Sequence, residues 1–190
     1  MKSNVLALSA VSAGFVALFL TLGAYFSVMD ILAVILASVF LLLPMYLDSV
    51  LGSVLAYLAG GAIAFLLSGA NILSLVWPSY LLFFGLIPIL NFVAVKKNFN
   101  KIVWFIVRFV WFAAVCVFLV YFYTAIMNFP IEYTFNVFGK VFDFSNVAGI
   151  ETIFYCVFAL FCVVFFLVYS KFLQLSHAYV NRVLSRIIKK

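Results

Sequence analysis

Five carboxylates, one histidine and three cysteines are the side chains with which this sequence could do acid–base, nucleophilic or metal chemistry. Their spacing supports none of it. His177 is the single histidine, and Cys116, Cys156 and Cys162 all fall inside apolar runs, with no C-x-x-C pair among them. No G-x-S-x-G, H-E-x-x-H or Walker A pattern occurs. Asp30, Asp48, Glu132, Asp143 and Glu151 are dispersed, and none sits in the middle of an apolar run. A proton-coupled carrier usually keeps an acid there. The residues therefore read as a non-enzyme without a cofactor or metal site. One charge does lie within an apolar run. Arg108 stands about 10 Å of helical rise beyond the basic stretch Lys96–Lys101. A charge near mid-bilayer costs about 2.5–3.5 kcal/mol on insertion scales, so Arg108 needs either to snorkel or to find a partner. Asp48, the one acid on the same side, is the candidate.

The elements that must position these groups are set by composition. Hydrophobic residues make up 69% of the 190 and charged residues 8%. A soluble domain carries about a quarter charged residues, so a soluble enzyme, a disordered chain and a nucleic-acid-binding domain are excluded. Apolar runs over 5–25, 30–46, 50–68, 73–95, 102–127 and 150–170 are each close to the roughly 20 residues that a helical crossing needs. They are unbroken, unlike the alternating segments of about ten residues in a membrane β-barrel. The fold class expected is all-α: a six-helix transmembrane bundle over 1–170, with a basic amphipathic helix over 171–190. Lys2 and the apolar stretch after it superficially resemble a signal peptide, but Tyr25-Phe26 is a poor cleavage site. The first run is read as an uncleaved crossing.

Six crossings bring both ends to one side. That side would hold Lys2, Lys96, Lys97, Lys101, Lys171, Arg182, Arg186, Lys189 and Lys190, and the other only Lys140. The positive-inside rule then puts both ends in the cytoplasm of a multi-pass membrane protein. In the tail, Leu175, Tyr179, Val180, Val183 and Leu184 recur at a helical period opposite Gln174, Asn181, Arg182 and Ser185. Such a helix lies on the anionic leaflet, continues the sixth crossing, or docks to a partner.

Small residues four apart, Gly52, Ala56, Gly60, Ala64 and Ser68, mark a face of the third helix that admits another backbone. Ser9, Ala13 and Ala17, with Ala10 and Gly14 beside them, do the same for the first. They serve packing within the bundle or docking of a partner, and Arg108 is a second candidate for a partner interface. Gly85-Leu86-Ile87-Pro88 predicts a kink in the fourth helix. A ligand site, if present, is expected on the external face, from Tyr25, Asp30, Asn71, Trp77, Tyr80, Glu132, Tyr133, Asn146 and Glu151. The 128–149 connection is polar and aromatic at once, as a cap over a pocket would be. The competing reading of the Trp and Tyr residues is an interfacial aromatic belt.

The length, the six runs, the Ser9, Ala13, Ala17 stripe and the Asp30, Asn71 and 128–149 regions together resemble the substrate-binding S components of energy-coupling-factor vitamin transporters. The segment Leu81–Pro88 and the tail from Val168 to Lys190 are also similar to small membrane proteins of Gram-positive bacteria with this architecture. The resemblance covers most of the chain in topology and implies residence in the bacterial cytoplasmic membrane. It further implies a vitamin-like small molecule bound on the external side. The helix-one stripe would contact a shared transmembrane coupling subunit, and two ATPase subunits would drive toppling of the loaded chain. The alternative is a non-transporting scaffold of a cell-envelope complex, since cell-shape proteins of the MreD kind share the size and helix number.

Overall fold

Apolar runs of about 20 residues leave the backbone few hydrogen-bond partners but itself, and in lipid only a helix or a closed barrel meets that condition. Each run here is helical. The computed structural model describes residues 3–69, 74–127, 134–137, 140–143 and 149–188. The helices are α1 (Ser3–Tyr25), α2 (Asp30–Phe40), α3 (Val50–Leu67), α4 (Val76–Ser79), α5 (Leu86–Lys96), α6 (Lys101–Tyr121) and α7 (Ile150–Ile188). Among the described residues, six helical spans are long and apolar enough to cross a membrane: Ser3–Tyr25, Asp30–Leu47, Val50–Leu67, Val76–Lys96, Lys101–Ile126 and Thr152–Ser185. The second joins α2 to a 3-10 turn, Pro44–Leu47. The fourth joins α4 and α5 through a π-helical segment, Tyr80–Phe84. The fifth ends in another, Phe122–Ile126. A short antiparallel hairpin, β1 (Thr134–Val137) and β2 (Lys140–Asp143), lies between α6 and α7, with Thr134 opposite Asp143.

The bundle has two ends. One, the lysine end, carries the Lys96–Lys101 connection and the start of α1. The other, the hairpin end, carries the hairpin, the start of α2 and the start of α7. Local signals set the turns at the lysine end. Asn100 caps α6 by accepting from the amides of Ile102 and Val103. Ser49 caps α3 by accepting from the Gly52 amide at 3.0 Å. Asp48 precedes it in the left-handed region at φ 58° and pairs with Lys96 at 2.8 Å.

The tightest packing is between α1 and α3. A Cβ placed on Gly60 would come within 2.6 Å of Val16 Cγ1 and 2.9 Å of the Ala13 carbonyl oxygen. One on Gly52 would meet Ser9 Oγ at 2.6 Å. The two helices therefore touch backbone to backbone, which only glycine permits. Ser9, Ala13 and Ala17 are buried in this arrangement. The stripe expected as a candidate docking face for a partner is occupied by the chain's own α3. Room remains on the flank of the stripe, where a Cβ placed on Gly14 would meet no atom within 4 Å.

The breaks in the spans have specific causes. Pro44 has no amide hydrogen to give the carbonyl four residues earlier, that of Phe40. Ser12 of α1 donates to that carbonyl at 2.7 Å, and Ser53 of α3 donates to the next, Leu41, at 3.1 Å. In the fourth span the π-helical segment frees two carbonyls. The Tyr57 hydroxyl donates to Leu81 at 2.9 Å and the Trp111 indole to Leu82 at 2.8 Å. Neighbouring helices thus satisfy the backbone at these departures from regularity.

α7 is one unbroken helix of 39 residues, about 58 Å long at 1.5 Å per residue. That exceeds a hydrocarbon core of about 30 Å. The segment after residue 170 continues the sixth span, one of the three arrangements open to the tail. Leu173, Val180 and Leu184 are buried, so part of the tail's apolar face is used within the chain, while Leu175 and Tyr179 stay exposed.

Candidate functional site

The hairpin end holds a cavity of about 410 Å³. Four spans line it, and it is half open, with Ile31, Tyr155 and Phe161 exposed along its wall. The start of α2 gives Asp30, Ile31 and Val34, and the fourth span with the residue before it gives Leu75, Ser79, Phe83 and Phe84. The fifth contributes Phe112 through Thr124, and the sixth contributes Phe154, Tyr155, Phe158, Phe161, Cys162 and Phe165. Both π-helical segments contribute wall: Phe83 and Phe84 from the first, Tyr123 and Thr124 from the second. π-Helical turns are uncommon and concentrate at functional sites.

The wall is aromatic and dry. Phe83 stands at 4.8 Å from Phe112, tilted by 54°, and Phe112 stacks on Phe165 at 6.2 Å. On α7, Phe154 stacks on Phe158 and Phe161 on Phe165, each one turn apart. The polar groups are few. Ser79 donates to the Leu75 carbonyl and Thr124 to the Val120 carbonyl at 2.8 Å, so both hydroxyls are engaged by their own helices. Among the described residues Asp30 is the one charged group in the wall. Its Oδ1 is buried and accepts no hydrogen bond among the described residues, and Tyr123 is its electrostatic neighbour. Cys116 and Cys162, both free thiols, face each other across α6 and α7 in the wall.

Of the described site residues expected from sequence, Asp30 is the one that reaches this cavity. Tyr25 is exposed at the same end and donates to the Leu67 carbonyl at 3.0 Å. Trp77 is buried edge-on against Phe65 at 5.3 Å, and Tyr80 is fully buried, donating to the Tyr57 carbonyl at 3.2 Å. Both belong to the packed interior and do not line the cavity. Asn71, Glu132, Tyr133 and Asn146 lie outside the described residues, as does the side chain of Glu151.

The partner expected for Arg108 is not the one found. Asp48 pairs with Lys96, because the second and fourth spans finish side by side at the lysine end. Arg108 is instead buried, with its guanidinium carbon 5.9 Å from the centre of the Phe105 ring. Tyr169 is its electrostatic neighbour, and its Nε has no hydrogen-bond partner among the described residues.

What sequence reasoning missed is the phenylalanine wall. Its signal is present: Phe154, Phe158, Phe161, Phe165 and Tyr169 recur at three and four residues along one face of the sixth run. In a chain with 25 phenylalanines such a stripe does not stand out from ordinary lipid-facing residues.

A second cavity, of about 340 Å³, lies at the lysine end between Met45, Pro88, Phe92, Leu173 and His177. It is bordered by the Asp48–Lys96 pair and by Asn91, which accepts from the Trp104 indole at 3.0 Å. Among the described residues no group of three or more His, Cys, Asp or Glu residues is placed to hold a metal ion.

No family model matches this chain, and neither a curated protein nor a solved structure matches it.

Proposed function

We propose that this chain is a multi-pass membrane protein that binds a small molecule in the aromatic cavity at its hairpin end. In this reading both termini are cytoplasmic and the cavity lies in the external half of the bilayer. The lysine distribution supports that orientation. The observation that carries the reading is the convergence of both π-helical segments on one cavity of about 410 Å³. That volume is within the range of small-molecule sites, about 300–1,000 Å³.

The chain then acts as a substrate-binding subunit. It has no Walker A sequence, so uptake would depend on a transmembrane coupling subunit and on ATPase subunits. This agrees with the S-component resemblance of the sequence. A coupling subunit would have to meet a surface other than Ser9, Ala13 and Ala17, which are buried.

Affinity purification in mild detergent, with bound proteins and bound small molecules identified together, tests the reading. A retained small molecule together with ATPase and membrane subunits supports it. An empty chain in a stable complex with cell-wall synthesis proteins would favour the envelope-scaffold alternative.

A further inference from the structure

Resting on the binding-subunit reading, we propose that the hairpin-end cavity takes a monovalent organic cation with an apolar or aromatic body. Three features of the wall select this class over others.

The first is charge. Among the described residues Asp30 is the only carboxylate in the wall, and no Lys, Arg or His lines it. Its Oδ1 is buried without a hydrogen bond among the described residues. An unpaired carboxylate oxygen against apolar groups is costly, and an ammonium or iminium group on the ligand removes that cost. An anionic ligand would meet Asp30 with nothing in the described wall to offset the repulsion.

The second is the rings. Phe83, Phe112, Tyr123, Phe154 and Phe158 present π-systems to the same space. The negative faces of such rings attract a cation within about 6 Å, by roughly 0.5–2 kcal/mol. They repel a carboxylate or phosphate for the same reason. A neutral acyl chain would fill the volume but would leave Asp30 Oδ1 without a partner among the described residues.

The third is the poverty of hydrogen-bonding groups. The hydroxyls of Ser79 and Thr124 already donate to the carbonyls of Leu75 and Val120. A sugar or another polyhydroxylated ligand would bury more donors and acceptors than the few polar groups of this wall, Asp30, Ser79, Thr124 and the tyrosines, can answer. The ligand chemistry that fits is therefore one positive centre on a hydrophobic body.

The test compares three probes of similar shape on the full chain in lipid nanodiscs. They are 4-phenylbutyltrimethylammonium, its neutral carbon isostere, and 5-phenylpentanoate. Cavity occupancy is read as protection of Cys116 and Cys162 from maleimide alkylation, in a Cys156→Ser background. The expected result is protection by the cation at a concentration at least tenfold below that of the neutral isostere, and none by the anion. Asp30→Asn should erase the preference for the cation while the neutral probe still protects. Equal protection by cation and neutral probe, or a preference that survives Asp30→Asn, overturns the inference and leaves the binding reading standing. Protection by none of the three overturns the inference and counts against the binding reading as well. Should the Asp30→Asn chain fail to fold, the wild-type comparison of the three probes decides alone.

Discussion

The Ser12 hydroxyl donates a 2.7 Å hydrogen bond to the carbonyl of Phe40, the one that Pro44 cannot reach. This contact lets the second span stop being α-helical inside the bundle. Ser12→Ala should destabilise the chain by about 0.5–1.5 kcal/mol, the usual range for an interhelical hydrogen bond in a membrane protein. A reversible unfolding titration in mixed micelles measures it. A change near zero would mean that the 3.2 Å turn bond from the Leu43 amide satisfies Phe40 unaided.

Gly60 and Gly14 form a matched pair. Gly60→Val would drive a side chain into Val16 and the Ala13 carbonyl. Backbone there has little room to retreat, so the expected outcome is loss of folded protein on size-exclusion chromatography. A Cβ at Gly14 meets nothing within 4 Å, and Gly14→Val should leave folding unchanged. Equal tolerance of both would show that α1 and α3 do not pack as described.

The Asp48–Lys96 pair should contribute less than about 1 kcal/mol. Its side chains are 69% and 51% exposed, and exposed pairs are screened by solvent and salt. A double-mutant cycle of Asp48→Asn with Lys96→Gln should give a small, salt-sensitive coupling. The cycle of Asp48→Asn with Arg108→Gln should give none, since Arg108 is buried beside Phe105 and Tyr169 instead. A coupling between Asp48 and Arg108 above that of the first cycle would contradict this arrangement.

The spans were legible in the sequence because the physical requirement behind them is one-dimensional. About 20 apolar residues between polar breaks either cross a bilayer or do not, and the run from Val50 onward, for instance, folds as α3. Ion pairing was not legible in the same way. The choice of Lys96 over Arg108 for Asp48 depends on which spans end side by side. Among the described residues the site was legible only at Asp30. Trp77 and Tyr80 have the composition of interfacial residues, but their positions on the fourth span turn them into the interior. The cavity wall comes from phenylalanines inside the spans, two of them, Phe83 and Phe84, on a π-helical segment.

The proposed orientation rests on the lysines. Reporter fusions in the Lys96–Lys101 connection and after Lys190 should both read cytoplasmic, and a fusion beside Lys140 should read external. A split result between the first two would contradict six crossings.

Whether the hairpin-end cavity holds a small molecule is tested most directly by native mass spectrometry of the chain released from nanodiscs. Leu119 lines the cavity, and Leu119→Trp would fill part of it, whereas Leu119→Ala would enlarge it. A bound small molecule is expected on the wild-type chain and on Leu119→Ala, with its loss from a folded Leu119→Trp chain. A wild-type chain that carries no small molecule, or one retained undiminished by Leu119→Trp, would contradict the binding role.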